Sequence, residues 1–129
     1  MSKTPTGYKL AQIVARDSRY ALDVYIFVLD ALDETIKEME VPRHLSAYEL
    51  LECIRRHAQN RFGTLGADVL ATWGVTDAGD VGEVIYNMIA EKVLDANEED
   101  KRSDFDIDFD FTEPECELKY TPQEIPKID

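Results

Sequence analysis

The chain has 129 residues, 44% of them apolar and 32% charged, a composition that excludes a disordered chain and fits one folded domain over 1–129. Its formal net charge is −13, and residues 1–63 hold nine basic and nine acidic side chains, so the whole excess falls in residues 64–129. Such a surface repels phosphate backbones and anionic lipid, which argues against nucleic acid and membrane as partners.

Residues 1–7 read as a loose lead-in, and the first core helix spans about 8–17, with Leu10, Ile13 and Val14 at helical spacing. Asp17 and Ser18 are placed to cap a second helix over about 20–39. Tyr20, Leu22, Val24, Tyr25, Ile26, Phe27, Leu29, Ala31, Leu32 and Ile36 cover most of its circumference, the mark of a central helix. Pro42 ends that segment. Ser46 and Glu49 then form a capping-box pattern, and Leu45 and Leu50 occupy the two positions of a hydrophobic staple. Leu51, Ile54, Ala58 and Phe62 give this third helix a buried stripe, and Gly63 is placed to stop it. A fourth helix over about 65–73 is expected to bury Leu65, Val69, Leu70 and Trp73 before Gly74. A fifth runs from Thr76 or Asp77 to about Val93, with Val81, Val84, Ile85, Met88 and Ile89 inward. Asn97 is placed to cap one more short turn.

The period then changes. Asp104 to Phe111 alternates acid and apolar side chain without a break, the pattern of a strand with one wet face. Cys116, Leu118 and Tyr120 alternate in the same way, which predicts a hairpin that sets Asp108 opposite Lys119. Residues 121–129 read as an extended tail beyond a core at about 8–120. The expected fold is mainly α: a bundle of about five helices with a small acidic C-terminal β-hairpin or extended arm. With a hairpin the shape would be winged-helix-like.

Several segments carry a family resemblance: Arg43-His44-Leu45-Ser46, Glu49-Leu50-Leu51, Ile54-Arg55, Arg61-Phe62-Gly63, Trp73-Gly74-Val75 and Asp80 to Met88. They resemble a family of small conserved hypothetical proteins of planctomycete and verrucomicrobial bacteria. With Asp17 to Leu32 and Asp104-Phe105, the likeness covers most of residues 10–111. The family has no assigned activity, so the resemblance implies a stand-alone bacterial cytoplasmic domain and no catalytic residue. The aspartate run to Phe111 and the following Thr112-Glu113-Pro114 depart from it.

The candidate sites are few. The helix–turn–helix spacing of helices four and five places Asp77, Asp80 and Glu83 where a recognition helix would meet phosphates, which opposes DNA binding. Asp104, Asp106, Asp108, Asp110 and Glu115 match the ligand spacing of a calcium loop. Phe109, however, stands where that loop needs a glycine turn. Arg43, His44, Arg55, Arg56, His57 and Arg61 form a basic group on or beside one helix, suited to an anion or to the acidic C-terminal segment docking in cis or on a second copy. The bland alternative is a solvated face with local ion pairs, and His57 then reads as a partly buried core residue. Cys53 and Cys116 lack metal-ligand spacing and read as packing residues in a reducing compartment. Trp73 and Tyr86 could line a pocket, although aromatic residues at helical spacing usually pack in the core.

No signal-peptide core follows the polar start, and no run reaches the roughly 18 apolar residues of a membrane span. No phosphate loop, nucleophile elbow or zinc-protease motif occurs, so no catalytic residue, metal or cofactor is expected. The leading expectation is a non-enzymatic cytoplasmic adaptor or regulatory module. It would bind another protein, or a second copy of itself, through an acidic face of Asp104, Asp106, Asp108 and Asp110. The alternatives are a small-ligand or anion site on the Arg/His group, enzymatic or not, and a degenerate winged-helix domain without DNA binding.

Overall fold

Five α-helices follow one another in a computed structural model that describes residues 6–41, 43, 45–95 and 101–112. They are α1 (Thr6–Arg16), α2 (Leu22–Glu38), α3 (Ala47–Phe62), α4 (Gly66–Thr72) and α5 (Ala78–Ala90), with 3₁₀ turns at Gly63–Leu65 and Arg102–Phe105. The fold is mainly α, and no strand forms among the described residues.

The helices converge on one core. α2 contributes Val24, Tyr25, Phe27, Val28 and Ala31, which α3 meets with Leu50, Leu51, Ile54 and Ala58. From α5 come Val81, Val84, Ile85 and Met88. α1 contributes Leu10 and Ile13, and α4 contributes Leu70. Phe27, Phe62 and Trp73 form an aromatic cluster at the α2–α3–α4 junction, with ring centroids 5.5–5.9 Å apart.

Most helix ends fall where the sequence places them. Ser46 accepts the Glu49 N–H, and the Glu49 carboxylate accepts the Ser46 N–H, so the capping box of α3 is complete. Gly63 then leaves the helix at φ +62°. Asp77 caps α5 by accepting the Asp80 N–H. α5 stops at Ala90 rather than Val93, because Lys92 turns to φ +64° and the Val93 N–H folds back onto the Met88 carbonyl at 2.8 Å.

Three expectations need correction. The N-cap of α2 is Ala21, with no side-chain cap, rather than Asp17 or Ser18. Asp17 instead ends the α1 turn and accepts from Arg19. Leu65 is exposed, because the 3₁₀ turn ahead of α4 carries it out of the core. The strand expected from Asp104 to Phe111 is absent: Asp104 and Phe105 lie in a 3₁₀ turn, and residues 106–111 follow without strand structure. A strand needs a ladder partner, and this stretch lies on helices instead. The second arm of the expected hairpin, with Cys116 and Lys119, lies outside the described residues. So do the turn at Asn97 and the tail at 121–129.

One backbone junction fixes the two halves of the bundle. The Ala21 N–H donates to the Trp73 carbonyl at 3.0 Å. Beside it Gly74, at φ +104°, lies so near Arg19 that a Cβ would sit 2.3 Å from the Arg19 carbonyl oxygen. Only glycine fits both constraints. Ser46→Ala should lower stability by ~1 kcal/mol, as loss of an N-cap does. Gly74→Ala should cost about 3 kcal/mol or more, since backbone strain and a clash with main-chain atoms act together. Urea denaturation midpoints check both; a smaller loss for Gly74→Ala than for Ser46→Ala would contradict the junction.

Candidate functional site

Residues 101–112 form a strap across the bundle, and the helices supply specific seats for it. Phe105 is buried on α5 against Gly82, where a Cβ would come within 2.9 Å of the Phe105 Cβ. Its ring meets Tyr86 edge-on at 6.4 Å. Arg102 lies over the Tyr86 ring and 3.6 Å from Glu83, which also accepts from Arg19. Further along, Phe109 packs edge-on against Tyr48 and Phe111, and Phe111 is buried.

Arg55 locks this end. The residue is only 6% exposed. The guanidinium stands 4.7 Å from the Phe109 ring centroid and donates to the Asp110 carbonyl at 3.3 Å, with the Glu52 carboxylate 3.7 Å away. A buried guanidinium needs such partners, and a ring face, a carbonyl and a carboxylate provide them. Asp104, Asp106, Asp108 and Asp110 are all exposed, so the strap turns its carboxylates outward while Phe105 and Phe111 point in. Ile107 breaks the expected apolar face: it stands exposed between Phe105 and Phe109, while the residues beyond it resume the inward alternation.

The basic group separates. Arg43 makes a two-pronged ion pair with Glu49, at 2.9 and 2.7 Å. Arg56 reaches Thr35 on α2 at 3.4 Å. His57 is buried against the Phe27 ring, with Nδ1 3.2 Å from Glu34 and Nε2 in the interior without a hydrogen-bond partner among the described residues. Arg61 stacks over Phe27 and Phe62. His44 lies outside the described residues. Among the described residues Arg55 turns to the strap and Arg56 to Thr35, while His57 and Arg61 share the Phe27 ring, so the four do not converge on one point. Cys53 is buried, bonded to the Ala31 carbonyl and Thr35 hydroxyl, and burial pushes its thiol pKa up.

The strap also closes one side of a cavity of about 170 Å³ between α2, α3 and α5. Leu32, Ile36, Leu45, Leu50, Ile85, Ile89, Leu94 and Phe105 make its apolar walls, with Ala47 and Tyr86, while Arg43, Asp95, Lys101 and Asp104 stand at its rim. Tyr86 thus lines a pocket, whereas Trp73 belongs to the core cluster. Sequence reasoning missed this cavity. The one available signal was α2, apolar around nearly its whole circumference and therefore bound to leave one side against something other than a helix.

No group of three or more His, Cys, Asp or Glu side chains among the described residues could hold a metal ion. No described helix is long and apolar enough to cross a membrane. Comparison with models of known families, with curated proteins and with solved structures gives no match to this chain.

Charge networks hold the helices around the site. Asp17 is pulled well below the ordinary carboxylate range by the Arg19 guanidinium; burial opposes this, and the Asn87 amide, which also reaches the Tyr25 hydroxyl, reinforces it. Burial would raise Asp80, but hydrogen bonds from the Thr76 N–H, the Tyr20 hydroxyl at 2.7 Å and the Thr76 hydroxyl outweigh it and hold the group low. Glu49 is lowered to about 2 by Arg43 and by the Ser46 N–H.

Carboxyls with depressed folded pKa values stabilise the fold above their ordinary range. That stability is lost as pH falls from the ordinary 3.8–4.5 toward about 2. Thermal melts should therefore fall steeply below about pH 4. Glu49→Gln should melt lower at neutral pH yet lose less on acidification; an unchanged acid slope would count against the Arg43–Glu49–Ser46 cap as its source. For the strap, Phe105→Ala should cost about 3 kcal/mol or more, as for other buried Phe truncations. Ile107→Ala should stay within roughly 0.5 kcal/mol. Equal denaturation midpoints for the two variants would show that the strap is not seated on Gly82.

Proposed function

We propose that the chain is a non-enzymatic cytoplasmic module that binds another protein through the acidic face of residues 104–110. The observation that carries this reading is the way the strap is attached. Phe105, Phe109, Phe111 and the Asp110 carbonyl make the contacts to the helices, so the carboxylates remain outward. Asp106 and Asp108 have no ion pair among the described residues. A fixed row of outward carboxylates, on the half of the chain that holds the entire net charge, attracts a basic surface and repels acidic ones.

Arg55 on the strap, Arg56 on Thr35, and His57 and Arg61 against the Phe27 ring do not converge, which weighs against the anion-site alternative. The acids at the start of α5 weigh against nucleic acid. The helix–turn–helix alternative also lacks support from packing, since α4 lies mainly on α3.

The test is capture of partners from the native cell with the wild-type chain and with Asp106→Asn/Asp108→Asn. Wild type should retain a basic partner at low salt and release it near 1 M salt, where the screening length falls to about 3 Å. The double variant should retain it weakly at every salt concentration. Equal retention by both proteins would overturn the acidic face as the binding surface.

A further inference from the structure

The cavity beside the strap has a size, a lining and a charge setting that together specify an occupant. Its volume of about 170 Å³ is close to the ~150 Å³ of an apolar cavity able to take benzene. That is well short of the roughly 300–1,000 Å³ of a cofactor or drug-sized site. It fits one large aliphatic or aromatic side chain. Leu32, Ile36, Leu45, Ile89 and Phe105 would surround that group with carbon.

The rim is charged, but its cations are not equivalent to its anions. Arg43 is neutralised by its two-pronged pair with Glu49. Asp95 and Asp104 stand at the opening, and the outward carboxylates of Asp106 and Asp108 continue from Asp104 along the strap. Among the described lining residues besides Arg43, Lys101 is the cation that opposes them. On the other side the approach is apolar: Ile36 is 39% exposed at the rim, and Val41 is 77% exposed in the connection that delivers Arg43 and Leu45.

We infer that this cavity receives a single apolar anchor side chain from a partner segment whose neighbouring residues are Lys or Arg. The apolar group enters between α2, α3 and α5, and the flanking cations lie on Asp95, Asp104, Asp106 and Asp108. This division of labour, a buried anchor with a charged surround, is the usual arrangement of a helix docked in a groove. The inference rests on the acidic-face reading and adds to it the seat of the anchor and the chemistry of the partner.

The probe is a fluorescently labelled amphipathic helical peptide of leucine and lysine, with a control in which every leucine is alanine. Binding to the full chain is followed by anisotropy at low and high salt. The leucine peptide should bind at least roughly tenfold more tightly than the alanine control. Two variants of the protein probe the cavity. Ala47→Leu fills it, and Ile36→Glu places a carboxylate at its rim, on a residue exposed enough to be replaced without unfolding. Both should weaken the leucine peptide by roughly tenfold. Ile36→Glu should not weaken the alanine control, since the added negative charge can only strengthen attraction to lysine. Equal binding of the two peptides, or indifference of the leucine peptide to both variants, overturns the anchor site while leaving the acidic face intact. Failure of both peptides to bind overturns the acidic-face reading and the inference together. Concentration-dependent dimers of the wild-type chain that Ile36→Glu dissociates would give the cavity to a second copy and overturn the inference.

Discussion

Where Phe105 lies on Gly82, its side chain comes so close to the α5 backbone that no Cβ fits at position 82. That contact decides where the chain goes after α5. It places Arg102 beside Glu83 and over Tyr86, makes Phe105 one wall of the cavity, and starts the strap on the path that ends over Arg55. Glu83 extends the constraint backwards, because it also accepts from Arg19, whose carbonyl presses on Gly74. The strap, α5 and the α1–α2 turn are thus tied through adjacent residues of one helix. A side chain at position 82 would therefore disturb the cavity and the acidic face together.

The motif-like run from Asp80 to Met88 takes its meaning from this arrangement. Asp80 receives Tyr20 and Thr76, Gly82 seats Phe105, Glu83 holds Arg19 and Arg102, and Asn87 bridges Asp17 and Tyr25. Every polar side chain in the run faces another segment of the chain. A dense polar motif of this kind looks like an active site in a sequence, yet here its geometry is that of a clamp: Asp80, Glu83 and Asn87 are paired with other segments, and Tyr86 lines the cavity.

How much of this was legible follows from the range of the forces involved. Helix boundaries depend on neighbours within four residues, so Ser46, Glu49, Gly63 and Asp77 announced them. The Asp104–Phe111 alternation suggests a strand in the sequence because a period of two is shared by any extended chain with one buried side. Whether that side meets a second strand or a helix pair is settled by residues far away in sequence, such as Gly82 and Arg55. The same reason hid the fate of the basic group. Residues 55, 56 and 57 are consecutive on a helix, so their side chains leave it about 100° apart. One is covered by the strap, and two turn toward α2. A cluster in sequence became three separate contacts in space, while the cavity was assembled from residues as distant as Leu32 and Phe105.

The electrostatics of the strap separate attachment from display. An acidic segment could have been held by salt bridges from its carboxylates to the basic residues of α3, and its charge would then have been neutralised by docking. Within the described strap, Arg55 engages the face of Phe109 and the main-chain carbonyl of Asp110, groups that carry no net charge. Burial of Phe105 and Phe111 supplies the rest, each worth about 1.5–3 kcal/mol on transfer scales. The mutual repulsion of the aspartates is borne in solvent, where the high dielectric and salt keep it small. Attachment by rings and backbone fixes the position of the strap without consuming its charge, so Asp106 and Asp108 stay both held in place and outward.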